Sequence, residues 1–271
     1  MLESIHRIEY VTRVQGRPIS SSRADPSSDA FDPLKAAMLH QHVGALDEAF
    51  WMVFIFVHFG KHATAGWRLA RDVYGALGSK PWAWKRVSAN PGAFRKWLAS
   101  HQLTLQGRDG IARHFGNHRK YQSLDASSPT GTGAAFTSYI SWVGPTKSHV
   151  TCLQQAVGEA GGDPRQVFDN LYRSMAVVKS FGRTARFDYL TMVGKLGLAA
   201  IEPGSAYLSS ATGPVTGARL LFGDSHGALS RAELDSRLIQ LGAVAGVGMQ
   251  VLEDALCNWQ KSPNKFRPFR G

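Results

Sequence analysis

The chain has 271 residues, 44% of them hydrophobic, with 7 Trp and 14 Phe, enough apolar mass for a sizeable core and a length between one and two ordinary domains. Its 31 Lys and Arg against 20 Asp and Glu give a formal net charge of +11, an excess that suits a polyanionic partner, most simply nucleic acid. Two widely separated cysteines, Cys152 and Cys257, exclude a disulfide framework and a thiolate zinc site and indicate buried thiols in a reducing compartment.

The start, "MLESIHRIEY", mixes charges and lacks the apolar stretch of a secretory signal, so a cytoplasmic soluble protein is expected. Residues 16 to 33 are rich in Ser, Pro and Asp and read as a loop; residues 1–33 are therefore expected to form an N-terminal arm. Helical patterning then dominates. "PLKAAMLHQHVGALDEAFWMVFIFVHFG" predicts two helices, the second buried on nearly all sides and too short to span a bilayer, which needs about 20 residues. "AGWRLARDVYGALG" is helical with Gly78 as C-cap, and "NPGAFRKWLASH" starts with Asn90 as N-cap and Pro91 behind it. Residues 105 to 135 read as a functional loop region. "AAFTSYISWVG" fits a helix or a strand. "DPRQVFDNLYRSM" is a helix capped by Asp163, "ARFDYLTMVGKLGL" is amphipathic, and residues 230 to 263 form one long helix or two. No βαβ pattern is present, so the fold class is mostly α. The expected domain is a single helical unit over residues 34–262, followed by a basic tail over 263–271.

"HFGKH" (58 to 62) is echoed by "HFGNH" (114 to 118). Histidines four apart on a helix can grip zinc, but glycine in the middle weakens that geometry and no Glu follows the first His to act as base. The stretches carry Lys61 and His62, then Asn117, His118, Arg119, Lys120 and Tyr121, a composition that suits phosphate and base-edge contacts better than a metal. No metal and no cofactor are expected. In "ATGPVTGARLLFGD", Gly213 and Gly217 flank a turn leading into a helix; such a turn lets backbone N–H groups approach a phosphate, or simply connects two helices. In "FGRTARFDYL", Arg183 and Arg186 flank Asp188 at a helix start, where a carboxylate among arginines stays ionised and either serves chemistry or forms a structural salt bridge. Asp224 and Asp235 are rival carboxylates. Trp67, Trp82, Trp84 and Tyr121 lie beside cations, as rings that stack on everted bases do, although most tryptophans are core.

"FWMVFIFVHFGKHATAGWRLARDVYGALG", "HFGNHRKYQSL", "FGRTARFDYL", "GPVTGARLLFGD" and "ALCNWQK", taken in this order over residues 40 to 265, resemble the α-glutamyl/putrescinyl thymine pyrophosphorylase family, clade 3 closest. The resemblance implies a helix–hairpin–helix DNA glycosylase-like helical fold, and an enzyme acting on a modified base flipped out of double-stranded phage DNA, with no membrane and no obligate protein partner. Two chemistries follow from it: excision of the modified base by a monofunctional glycosylase in antiphage defence, the first expectation, or displacement of pyrophosphate from a thymine methylene by an amine. A catalytically silent binder of modified DNA is the remaining alternative. The catalytic carboxylate is expected to be Asp188, with Asp224 as rival. The substrate or DNA contacts are expected from His58, Lys61, His62, Asn117, His118, Arg119, Lys120, Tyr121, Arg183, Arg186, Gly213, Gly217 and Lys261. In the last motif, Asn258 follows Leu256 and Cys257 where the family pattern has an acidic residue, which leaves that position without an acidic role.

Overall fold

The computed structural model describes residues 1–116, 119 and 122–265. Among these the chain is mostly helical, with no strand beyond one isolated bridge between His62 and Gly66. The helices are α1 (Leu2–Gln15), α2 (Pro33–His42), α3 (Leu46–Phe59), α4 (Arg68–Tyr74), α5 (Trp84–Ala89), α6 (Pro91–Leu103) and α7 (Thr132–Val143), then α8 (His149–Glu159), α9 (Pro164–Ser174), α10 (Arg183–Lys195), α11 (Gly213–Leu221), α12 (Arg231–Ala245) and α13 (Met249–Trp259). None of them is long and apolar enough to cross a membrane among the described residues.

Local chemistry explains most helix starts. Asp32, Asn90 and Asp163 each accept first-turn N–H groups with their side chains, and a proline follows each of them. Ser230 and Glu233 close a reciprocal capping box at α12. "AAFTSYISWVG" is helical, as α7.

The core is arranged around α3. Its residues are apolar on every side, so the helix must be enclosed, and from Ala49 to Phe59 only Phe56 reaches partial exposure. Phe54 stacks on Tyr139 at 4.0 Å, Trp51 meets Phe136 edge-on at 4.8 Å, and Phe94 lies flat on Phe136 at 4.3 Å. A buried polar run crosses this aromatic interior. Asp47 Oδ1 is 2.8 Å from His149 Nδ1, His149 Nε2 is 2.7 Å from the Tyr139 hydroxyl, and that hydroxyl is 2.8 Å from the Tyr189 hydroxyl.

Residues 1–33 are not laid out as an arm. α1 packs across α10 and α13, with Gln15 donating to the Leu196 carbonyl at 3.1 Å and Arg7 within 3.4 Å of Asp254. Phe31 is part of the core. The polar segment before it is folded back by side-chain-to-backbone bonds: Asp25 accepts from Ser27 N, and Arg23 donates to the Ala30 carbonyl.

A second, smaller core joins Leu208, from the turn before α11, to Val215, Ala218, Leu234, Leu238 and Leu256 of α11, α12 and α13. Here the expected glycine turn is corrected. Residues 213 to 217 are the first turns of α11, and a Cβ at Gly217 would sit 2.5 Å from the Leu256 carbonyl oxygen of α13. Gly217 therefore lets two helices touch and is not free to approach a phosphate. The stretch from 230 to 263 holds two helices, broken after Ala245, where Gly246 takes φ +63°. Residues 266–271 of the expected basic tail lie outside the described residues.

Candidate functional site

The two echoes meet. α3 ends at Phe59, and Gly60 turns the chain out of the helix with φ +64°. The Gly116 N–H then donates to the Phe59 carbonyl at 2.8 Å, and Phe59 and Phe115 stack at 5.6 Å. A Cβ at Gly116 would lie 2.7 Å from the Gly60 carbonyl carbon and 2.9 Å from Lys61 N, so only glycine permits this backbone contact. The next pair of rings, His62 and His114, sit 4.9 Å apart.

Beside this junction lies an open hollow of about 740 Å³, lined by His62, Gln106, His114, Phe115, Gln122 and Ser123 among others. It has the size of a small-ligand site and a polar lining. The tautomer of His62 follows from its contacts: Nδ1 accepts from Ala65 N at 3.1 Å and from Thr64 N at 3.3 Å, so the ring proton sits on Nε2. Arg113 also borders the hollow, but Asp72, Asp109 and the Thr104 carbonyl occupy its guanidinium. The hydrogen bonds from Arg113 hold the Asp109 carboxyl down to about 2.

Arg119 links the junction to α10. Its Nε donates to the Val57 carbonyl at 2.8 Å, and its Nη2 donates to Asp188 Oδ2 at 2.7 Å. Asp188 does not line the hollow; it stands at the far end of Arg119, its side chain 42% exposed. Gln122, from the hollow, donates to the Ser180 carbonyl just before α10 at 2.9 Å. The carboxylate, the guanidinium and the hollow thus belong to one connected neighbourhood.

Several expected contacts are placed elsewhere. His58 is fully buried, its ring parallel to Phe54 and edge-on to Phe136. Thr132 spends its hydroxyl hydrogen on the Ser123 carbonyl, so His58 donates from Nε2 to Thr132 Oγ1 at 3.1 Å and Nδ1 is left buried without a partner. Burial, reinforced by the positive charge of Arg119, drives its pKa down to about 3. It is a neutral ring enclosed in the core. Arg186 caps the Tyr172 carbonyl at 2.9 Å and lies over the Tyr172 ring, pinning α10 to α9. Asp224 accepts from Arg219, Ala228 N and Leu229 N, which saturates it as a loop anchor after α11. Asp235 likewise holds Ser205 and the N–H groups of Ala206 and Leu208. Gly213 packs against Cys257. Trp82 and Trp84 are core, and Trp67 packs on Phe56. Lys61 is exposed at the junction, and Lys261 is exposed beyond α13, 3.4 Å from Asn258. Asn117, His118, Lys120 and Tyr121 lie outside the described residues.

Arg183 is buried, and its guanidinium donates to Glu253 of α13 and to the Ala206 carbonyl. Sequence reasoning named Arg183 but missed Glu253, Asp254 and the half-buried Lys195, whose relation exists only once α10 and α13 are packed. Both cysteines are free thiols, and burial pushes Cys152 up to about 11. Among the described residues, no three His, Cys, Asp or Glu side chains are grouped to hold a metal ion.

The described residues thus form a helical protein with a polar hollow and, near it, an arginine that spans a core carbonyl and an open carboxylate. The family model of the alpha-glutamyl/putrescinyl thymine pyrophosphorylases, clade 3, matches residues 1–271, and the chain belongs to this family of enzymes of thymine hypermodification. No curated protein and no solved structure matches it.

Proposed function

We propose that this chain is a transferase of DNA thymine hypermodification, which displaces pyrophosphate from the exocyclic methylene of a modified thymine with an amine. The observation that carries this reading is the match over the whole chain to a pyrophosphorylase clade. It supports transfer over base excision, the first expectation from the motifs. The everted base enters the hollow beside His62 and His114, where the Nε2–H of His62 and the amides of Gln106 and Gln122 supply hydrogen bonds. Lys61 and Arg119, at the same junction, neutralise the pyrophosphate as the C–O bond breaks and its electron pair leaves on the phosphate oxygen. Asp188 orients Arg119 and offers its second oxygen to the incoming amine. The net charge of +11 holds the DNA backbone. The protein works in the cytoplasm on phage-type modified DNA.

The test is incubation with plain DNA and with duplex DNA bearing pyrophosphorylated 5-hydroxymethyluracil, each with and without putrescine or glutamate, read by mass spectrometry of the nucleosides. Amine-bearing thymidine plus free pyrophosphate is the expected result. Abasic sites or free base would replace this reading with excision, and DNA that is bound but never altered would replace it with recognition alone.

A further inference from the structure

We infer that the hollow reads the Watson–Crick edge of the everted base, with His62 as donor to O4 and Gln122 as acceptor from N3–H, and so takes a uracil-type ring and refuses a cytosine-type one; the inference rests on the reading above that the base enters this hollow. The two ring types differ along that edge in polarity. Uracil and thymine offer an acceptor at O4 and a donor at N3–H, whereas cytosine offers a donor at its 4-amino group and an acceptor at N3. A site tells them apart when its side chains cannot reverse their own polarity. His62 and Gln122, both half-buried on the hollow, are such side chains.

His62 closes a tight turn, in which its N–H donates to the Gly66 carbonyl at 3.0 Å and its carbonyl accepts from Gly66 N at 3.1 Å. Within that turn the N–H groups of Thr64 and Ala65 occupy Nδ1, so the ring keeps Nε2–H as its remaining polar atom, and no described residue bonds it. Gln122 is fixed by the Ser180 carbonyl. A carbonyl can only accept, so the amide must turn its nitrogen to that oxygen, at 2.9 Å, and Oε1 is left as an acceptor without a donor among the described residues. The backbone around it is tethered as well: Gln122 N donates to the Arg119 carbonyl at 2.9 Å, and the Ser123 carbonyl takes both the N–H and the hydroxyl of Thr132 at 2.8 Å. The other groups at the hollow do not select. Gln106 and His114 carry no hydrogen bond among the described residues and can present either polarity, while Arg113 is spent on Asp72 and Asp109. The Ser123 oxygen accepts from Asp125 N at 3.1 Å, which leaves its hydrogen for O2, an acceptor that both ring types share. The assignment also turns the substrate. C5 adjoins C4, so a ring held at O4 by His62 has its exocyclic methylene on the His62 side, and Lys61 is the next residue in the chain.

The experiment measures Kd by fluorescence anisotropy for two duplexes that differ in one base, pyrophosphorylated 5-hydroxymethyluracil or pyrophosphorylated 5-hydroxymethylcytosine. Each base stands opposite an abasic site, so that neither has a pairing partner to lose, and putrescine transfer to each duplex is followed in parallel. The wild-type chain should bind the uracil duplex about 50-fold more tightly. His62→Ala and Gln122→Leu should each cut that ratio to less than about fivefold, whereas Lys61→Ala should weaken both duplexes and keep it. His62→Asn, whose short side chain can still accept from the Thr64 and Ala65 N–H groups, carries the test if His62→Ala disturbs the turn, and it should lose the ratio in the same way. A wild-type chain that binds both duplexes alike would overturn the inference. So would a His62→Asn or Gln122→Leu chain with the full ratio, or a Lys61→Ala chain without it. Putrescine transfer by the wild type in any of these cases would leave the transfer reading standing. A wild-type chain that shows the ratio but transfers no amine would instead bring down the transfer reading and keep the assignment of the edge.

Discussion

Residues 58–60 and 114–116 spell the same three letters, His-Phe-Gly, and do opposite work. The first copy closes a helix that is apolar all round, so its histidine is enclosed among aromatic rings and its glycine reverses the chain with a positive φ. The second follows a polar loop, so His114 is exposed on the hollow and Gly116 is there for lack of a side chain, not for its dihedral angles. The two phenylalanines alone are equivalent, as the stacked pair that joins the copies. Over these six residues the repeated motif forms the two sides of one contact, each given its role by the element that carries it.

The sharpest way to break this asymmetry is Gly116→Ala, whose new methyl group would run into the backbone of Gly60 and Lys61. A loss of about 3 kcal/mol is expected, seen as a Tm lower by roughly 6–12 °C; an unchanged melting curve would show that the junction is loose. Acid should probe the first copy. The folded-state pKa of His58 lies below its unfolded value, so the unfolded chain binds the extra proton and stability falls as pH drops from 6.5 toward about 3. The contribution is roughly 2 kcal/mol at pH 5, and half-buried His40 and buried His149, both shifted down chiefly by burial, act in the same direction. Denaturant titrations of the wild type and His58→Gln at pH 7.5 and 5 check this; equal pH sensitivity would remove His58 as the cause. Arg119→Lys keeps the charge but not the fork that reaches Val57 and Asp188 together. Its expected cost is about 1 kcal/mol of stability, with a larger loss of pyrophosphate release; full activity would dismiss the bridge as a functional element. His114→Ala should be smallest, within about 0.5 kcal/mol in stability, while weakening substrate binding several-fold. A comparable effect on folding would mean that the second copy is core after all.

What could be read from the sequence was whatever short-range chemistry decides. The unbroken apolar run of α3 announced its enclosure, Asn90 and Asp163 announced helix starts, and "FGRTARFDYL" was correctly placed at the head of a helix. Gly213 and Gly217 were misread because a glycine-bearing stretch suits a turn or a tight helix crossing equally, and the deciding atom, the Leu256 carbonyl, belongs to another helix. His58 looked like a pocket wall since periodicity does not reveal whether a polar ring at a helix end is capped by Thr132 or open to solvent. Glu253 carried no local signal at all, being one of two acids on an amphipathic helix until Arg183 singles it out.

The buried run from Asp47 to Tyr189 has a sense of direction. Burial works against the charge of Asp47, but hydrogen bonds from the side chain and backbone of His149 outweigh it and hold the carboxyl below its ordinary value. An ionised carboxylate has no hydrogen to give, so His149 must donate from Nδ1 and accept at Nε2. Tyr139 is thereby forced to give its hydrogen to the imidazole and to receive that of Tyr189. Two hydroxyls in the middle of the molecule are thus aligned by one anion at its edge, like compass needles set by a single pole, and neutralising that pole would let them swing round.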